Sequence, residues 1–198
     1  MADWDARYRR GEHATAEPNR LLVRAANGLA PGRALDIACG AGRHAIFLAE
    51  RGWQVTAVDA SGVGIELTLK RARERGLKVD ARVADLEREG FAIDAAAYDL
   101  ISVFYYLQRD LWTQIRAGLR PGGVVVAAIR LMGDDPRARP SNPAFLLRPG
   151  ELRAEFRGWE IIHYHEGELQ DDDPGCHHRP TAEIVARKAV TGVKNSDK

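Results

Sequence analysis

Cysteine is almost absent from this 198-residue chain: Cys39 and Cys176 are the two present. Neither stands in a CxxC or CxxxCxxC pattern, which excludes the usual zinc, dithiol and iron–sulfur arrangements. An excess of charge is also missing. The formal net charge is +1, so no long-range field for nucleic acid is expected. No apolar stretch approaches the roughly 20 residues that cross a bilayer. Asp3, Trp4, Asp5, Arg7 and Arg9 occupy the N-terminus where a signal peptide would need an apolar core. A cytoplasmic location with free thiols is the expectation. Internal repeats and low-complexity blocks are absent too, and no His/Cys/Asp/Glu spacing matches a familiar metal site.

What is present is the composition of a globular protein, 45% hydrophobic and 29% charged, at a length suited to one α/β domain. Short β-rich runs alternate with longer amphipathic ones, which points to a parallel sheet. Strands are predicted at 34–38, 54–58, 79–84, 98–104, 124–129, 159–165 and 182–187. The stripe Ala45, Ile46, Leu48, Ala49 marks a helix ending near Gly52, and Ile65, Leu67, Leu69, Ala72 mark another ending at Gly76. A helix over 111–119 is closed by Arg120-Pro121-Gly122-Gly123, read as a turn into the fifth strand. Residues 1–30 read as an N-terminal helical arm, 31–188 as the domain and 189–198 as a polar tail. The segment 133–149 holds four prolines and reads as a long loop before a short helix at 150–156. Loops of that length usually cover something.

The strongest local signal is Ala34-Leu35-Asp36-Ile37-Ala38-Cys39-Gly40-Ala41-Gly42-Arg43: a strand, a glycine turn, then a helix. Gly40 and Gly42 let the backbone bend sharply and let a ligand lie against it without a Cβ in the way. Asp59 closes the second strand, where a carboxylate can accept from vicinal ribose hydroxyls, as in NAD and S-adenosylmethionine (SAM) sites. Its structural alternative is capping of the helix that starts near Ser61. Two acids separate the cofactors. Asp36 sits inside the first strand, where a dinucleotide fingerprint asks for none, and would face the ammonium end of a methionine group. Asp85, at the end of the third strand, can accept from an adenine amine while the neighbouring backbone at Leu86 meets the ring; alone, it would be a turn acid.

With these motifs in view, residues 33–130 resemble a class I SAM-dependent methyltransferase. The stretches 39–43, 47–49, Gly52 and 55–61 are similar to the tellurite-resistance and thiol methyltransferase-like branch. The resemblance implies a Rossmann-like doubly wound α/β sheet of seven strands in the order 3-2-1-4-5-7-6, the seventh antiparallel, with helices on both faces. It implies SAM as cofactor and a cofactor-binding set of Asp36, Cys39, Gly40, Gly42, Arg43, Asp59, Ala60, Asp85, Leu86 and Phe104, with Tyr8 contributed by an arm that closes as a lid; an amphipathic helix that only packs on the sheet is the alternative for that arm.

Methyl transfer from a sulfonium needs positioning more than a strong base, so no catalytic dyad is required. The acceptor belongs at the C-terminal edge of the sheet, beside the switch between strands one and four. There Phe104-Tyr105-Tyr106-Leu107 lacks the Asn/Asp-Pro-Pro-aromatic signature of amino-methylating nucleic-acid enzymes, which favours a small-molecule acceptor such as a thiol or chalcogen oxyanion. Tyr105 is a candidate wall of the methyl site, with core packing as its alternative. His178 and Arg179 are an anion-binding candidate pair, and the family resemblance places such a pair in the substrate site. No nucleic-acid or membrane partner is expected, and monomer and homodimer both stay open. The rival readings are an NAD-dependent oxidoreductase and a non-catalytic SAM-binding protein.

Overall fold

The structure is a computed structural model that describes residues 4–12, 15–88, 91–133, 142–168 and 180–190. Two short helices open it, α1 (Trp4–Arg9) and α2 (Arg20–Asn27). The alternating unit follows: β1 (Arg33–Ile37), α3 (Arg43–Glu50), β2 (Gln54–Asp59), α4 (Gly62–Glu74), β3 (Val79–Val83), β4 (Tyr98–Phe104), α5 (Leu111–Gly118) and β5 (Leu119–Arg130). Helix α6 (Glu151–Glu155) and the strands β6 (Glu160–Gly167) and β7 (Thr181–Arg187) complete it. The sheet order is β3-β2-β1-β4-β5-β7-β6, with β7 antiparallel to both β5 and β6. The expected doubly wound topology is therefore the one observed. Among the described residues no helix is long and apolar enough to cross a membrane.

Alternation along the strands divides the core into two layers, one on each face. Leu35 and Ile37 of β1 join Ile101, Val103, Val125 and Ala127 against Trp112, Ile115, Leu152 and Phe156, so α5 and α6 cover that face. Ala34 joins Leu100, Val124 and Val126 against Leu21, Leu22, Ala45, Leu48 and Ile65, so α2, α3 and α4 cover the other. A strand buried on both faces must be apolar throughout, which is why Val124 to Ile129 contain no polar side chain.

Both predicted helix stops hold: Gly52 has φ +82° and Gly76 φ +66°, values that favour glycine. One expectation changes. The fifth strand begins at Leu119, which pairs with Tyr98; the ladder then slips and resumes at Leu100 and Val124. Arg120 to Gly123 thus form an irregularity within the strand, held where Gly122 N–H donates to the Lys188 carbonyl and Lys188 N–H to that of Gly123, both 2.9 Å. The N-terminal arm is two elements. Asn19 caps α2 by accepting from Leu21 N–H at 2.8 Å, and α2 buries Leu21, Leu22 and Ala26 as part of the core, while α1 packs on α4.

Candidate functional site

The β1–α3 loop is shaped by three left-handed residues, Ala38 (φ +53°), Gly40 (+57°) and Gly42 (+78°). Helix α4 grips it from one side. Thr68 Oγ1 donates to the carbonyls of Gly40 (3.2 Å) and Gly64 (3.0 Å), and Arg71 Nη1 donates to that of Ala41 at 2.6 Å. The grip leaves no room for side chains. A Cβ on Gly42 would lie 2.4 Å from Thr68 Oγ1, and one on Gly40 would lie 2.4 Å from the Tyr8 hydroxyl oxygen. Tyr8 of α1 therefore lies over bare backbone, half-buried, its phenol pushed up from the ordinary value by burial and then by the charge of Asp59. Helix α1 is tied to the start of α4 through Asp5, which accepts from Ser61 Oγ and, at 3.3 Å, from Val63 N–H.

Three adjacent strand ends bring in the acids. Asp59 is 9% exposed, and its two oxygens accept from Gly40 N–H and Ser61 N–H, both at 2.8 Å. It links the glycine loop to the β2–α4 turn, while Ser61, not Asp59, caps α4 by accepting from Gly64 N–H. Burial pushes the Asp59 carboxyl up, partly offset by those two N–H groups. Ala60 beside it is exposed. Asp36 lies deeper at 1% exposure, aligned with Ser102 across the β1–β4 ladder. Ser102 Oγ donates to its Oδ1 at 2.8 Å, and its Oδ2 is buried with no hydrogen-bond partner. Asp85 follows β3 and accepts from Glu87 N–H at 3.0 Å, with Arg88 Nε 3.5 Å away. The turn-acid geometry is thus formed, at the same edge of the sheet as Asp59. Leu86 packs into the core, its carbonyl accepting from Gln108 Nε2 at 3.0 Å. Cys39 is buried, and burial raises its thiol well above the ordinary value, which makes it inert.

On the acceptor side, Phe104 is buried against His44, ring centroids 4.1 Å apart. The two tyrosines after it diverge. Tyr106 donates to Gln108 Oε1 at 2.6 Å on the α5 face. Tyr105 turns to the α2 face, where Asn19 Nδ2 donates to its hydroxyl at 3.3 Å. Arg43 lies 5.9 Å from the Tyr105 ring centroid and donates to the Glu17 carbonyl at 3.3 Å. His178 and Arg179 lie outside the described residues.

A family model for the tellurite resistance protein TehB matches residues 7–178. The chain belongs to the TehB family. Among curated relatives, Hemagglutinin 1 of Eikenella corrodens is 30% identical over 170 residues, 81% of this chain and 55% of its own. TehB of Haemophilus influenzae, named a probable SAM-dependent methyltransferase, is 28% identical over 163 residues, 77% of this chain and 55% of its own. The chain spans about half the length of the curated relatives it matches. The crystal structure of Haemophilus influenzae TehB superposes with a TM-score of 0.74 at 23% identity, covering 92% of this chain and 66% of that one. The TehB fold, a class I methyltransferase sheet, is the fold described above.

Several residues that build this TehB-family site went unread in the sequence. Thr68 and Arg71 lie on α4, the helix that the stripe Ile65, Leu67, Leu69, Ala72 marked, but only the fold shows that this helix meets the glycine loop. Ser102 and His44 are found only through register, since each is adjacent to Asp36 in space and remote or offset in sequence. Asn19 had a readable signal, as an Asn ahead of an apolar helical run is a cap.

The Asp36 environment yields a pH prediction. Burial raises this carboxyl to about 7, opposed first by the Ser102 hydrogen bond and then by Arg43. His44 Nδ1 is 3.9 Å away, too long for a hydrogen bond, and burial holds the imidazole well below its ordinary value, hence neutral. A carboxyl whose folded value lies above its unfolded 3.8 keeps its proton on folding, so its contribution to stability falls as pH rises from about 4 to about 7. Asp36→Asn removes that dependence. The stability of wild type relative to Asp36→Asn should therefore decline across this window in denaturation curves, and a difference that stays level or grows with pH would contradict the assignment.

Proposed function

We propose that the chain transfers a methyl group from SAM to a small-molecule acceptor by in-line displacement, with thiols and chalcogen oxyanions as the acceptor classes to test first. The observation that supports this best is Asp59. Each of its oxygens is fixed by one backbone N–H and retains acceptor capacity for a ribose hydroxyl. The remaining residues fit the same ligand. The Gly40–Gly42 loop offers backbone without side chains beside Asp59, and the unpartnered Asp36 Oδ2 is an acceptor that a methionine ammonium, or one bridging water, would satisfy. Asp85 stands at the next strand end for the adenine amine.

SAM, when bound, supplies a methyl carbon on a sulfonium leaving group. The protein's share is orientation and exclusion of water, effects that account for about 7–11 kcal/mol in well-aligned reactions. Tyr105 walls the acceptor side, and α1, with Tyr8 above the loop, serves as the lid. His178 and Arg179 are proposed to contact the acceptor.

The test is incubation with methyl-labelled SAM and a panel of thiols, chalcogen oxyanions and amines, read by mass spectrometry. At least one labelled product is expected. Stabilisation by NADH but by neither SAM nor its demethylated product would point to an oxidoreductase instead. Tight SAM binding with no product from any acceptor would make the chain a non-catalytic binder.

A further inference from the structure

The sheet ends at β3, which pairs with β2 and with no other strand among the described residues. One hydrogen bond shows how its outer edge is made. Ala84 N–H donates to the Asp59 carbonyl at 2.9 Å, and alternation along a parallel strand then turns the backbone groups of Arg82 and Asp80 toward β2 as well. Those of Val79, Ala81 and Val83 face outward, and no described residue bonds to them. Val83 is also 59% exposed. Proteins ordinarily blunt such an edge with charge, and here Asp80 and Arg82 stand exposed on it, bridged to each other at 2.6 Å. At that exposure the bridge itself adds little to stability.

The strand reads Val79-Asp80-Ala81-Arg82-Val83, a run that complements itself when reversed. Laid antiparallel on a second copy with Ala81 opposite Ala81, it sets Val79 against Val83 and each Asp80 against the other copy's Arg82. Backbone and side chains agree on this register. The valine and alanine pairs are the ones whose N–H and C=O face outward, so each exchanges both its bonds. The Asp80 and Arg82 pairs fall at non-hydrogen-bonded positions, where Cα atoms approach to about 4.5 Å and side chains interact most closely. The neighbouring registers that keep the outward groups facing one another place Asp80 on Asp80 or Arg82 on Arg82, and like charges directly opposite are unfavourable. A foreign strand would have to carry an arginine and an aspartate at the matching positions, as β3 already does. We infer that two copies of this chain pair through β3 about a two-fold axis at Ala81, joining their sheets into one.

Charge reversal followed by sedimentation equilibrium provides the test. Wild type at about 100 μM should sediment as a dimer, a concentration at which even a small, weak interface is populated. Arg82→Asp leaves only acids around the axis and Asp80→Arg only arginines, so each should weaken dimerisation at least about a hundredfold. Both variants should then sediment as monomers with the circular dichroism of wild type. Mixed in equal amounts they should dimerise, because every acid again meets an arginine across the axis. A purely structural role for the Asp80–Arg82 bridge would not produce that rescue. Ala81→Pro removes an outward N–H and no bond to β2, so it should give monomers without any change of charge. A monomeric wild type, a dimer indifferent to the reversals and to Ala81→Pro, or reversed variants that stay apart when mixed would overturn the inference.

Discussion

Asp59→Ala is expected to bind SAM and S-adenosylhomocysteine at least about a hundredfold more weakly than wild type, because two hydrogen bonds to a carboxylate are worth about 1.5–3 kcal/mol each. Folding should suffer as well, and the structure says why. The carboxylate is the acceptor for Gly40 N–H and Ser61 N–H, and a buried donor left unpaired costs about 1–3 kcal/mol. Asp59→Asn separates the two effects. Its amide oxygen can still receive one N–H, so urea denaturation should show a smaller loss of stability while the affinity remains well below wild type. Calorimetry giving Asp59→Ala an affinity within about threefold of wild type would remove Asp59 from the ribose site.

Gly42→Ala is expected to lower folding stability by about 2–5 kcal/mol, from two causes that add. A left-handed backbone costs a non-glycine residue about 1–2 kcal/mol, and an overpacked contact costs about 1–3 kcal/mol. The second cause is specific: the new methyl would lie 2.4 Å from Thr68 Oγ1 and 2.5 Å from Thr68 Cγ2. Thr68→Ala should therefore restore part of the stability in the Gly42→Ala background, although alone it removes the hydrogen bonds that hold the Gly40 and Gly64 carbonyls. A double-mutant cycle by urea denaturation measures the coupling. Simple additivity of the two substitutions would mean that the contact is not what fixes the loop on α4.

Much of this arrangement is legible in the chain because local rules and the fold agree. Gly52 and Gly76 stop helices, the apolar run at 124–129 is a strand buried on both faces, and Gly40, Gly42 and Asp59 meet as their spacing suggests. What stayed hidden depends on register or on rotation about a strand. Nothing in Tyr105-Tyr106 tells which ring turns to which face; the left-handed turn at Tyr105 decides it. Asp36 is readable as an acid before a glycine turn, yet its depth follows from its alignment with Ser102. Pro121-Gly122-Gly123 announces a break but cannot show that the strand has already begun at Leu119.

The position of β7 between β5 and β6 bears on how the protein emerges from the ribosome. All seven paired positions of β5 on that side, Val124 through Arg130, wait for partners drawn from 181–187, and β6 pairs with no other strand among the described residues. During synthesis β1 to β5 can assemble while β5 still presents an open apolar edge, the kind of surface that invites pairing with another nascent chain. Completion of the sheet is therefore a late, long-range event, and premature termination before β7 would leave β6 with no strand to join.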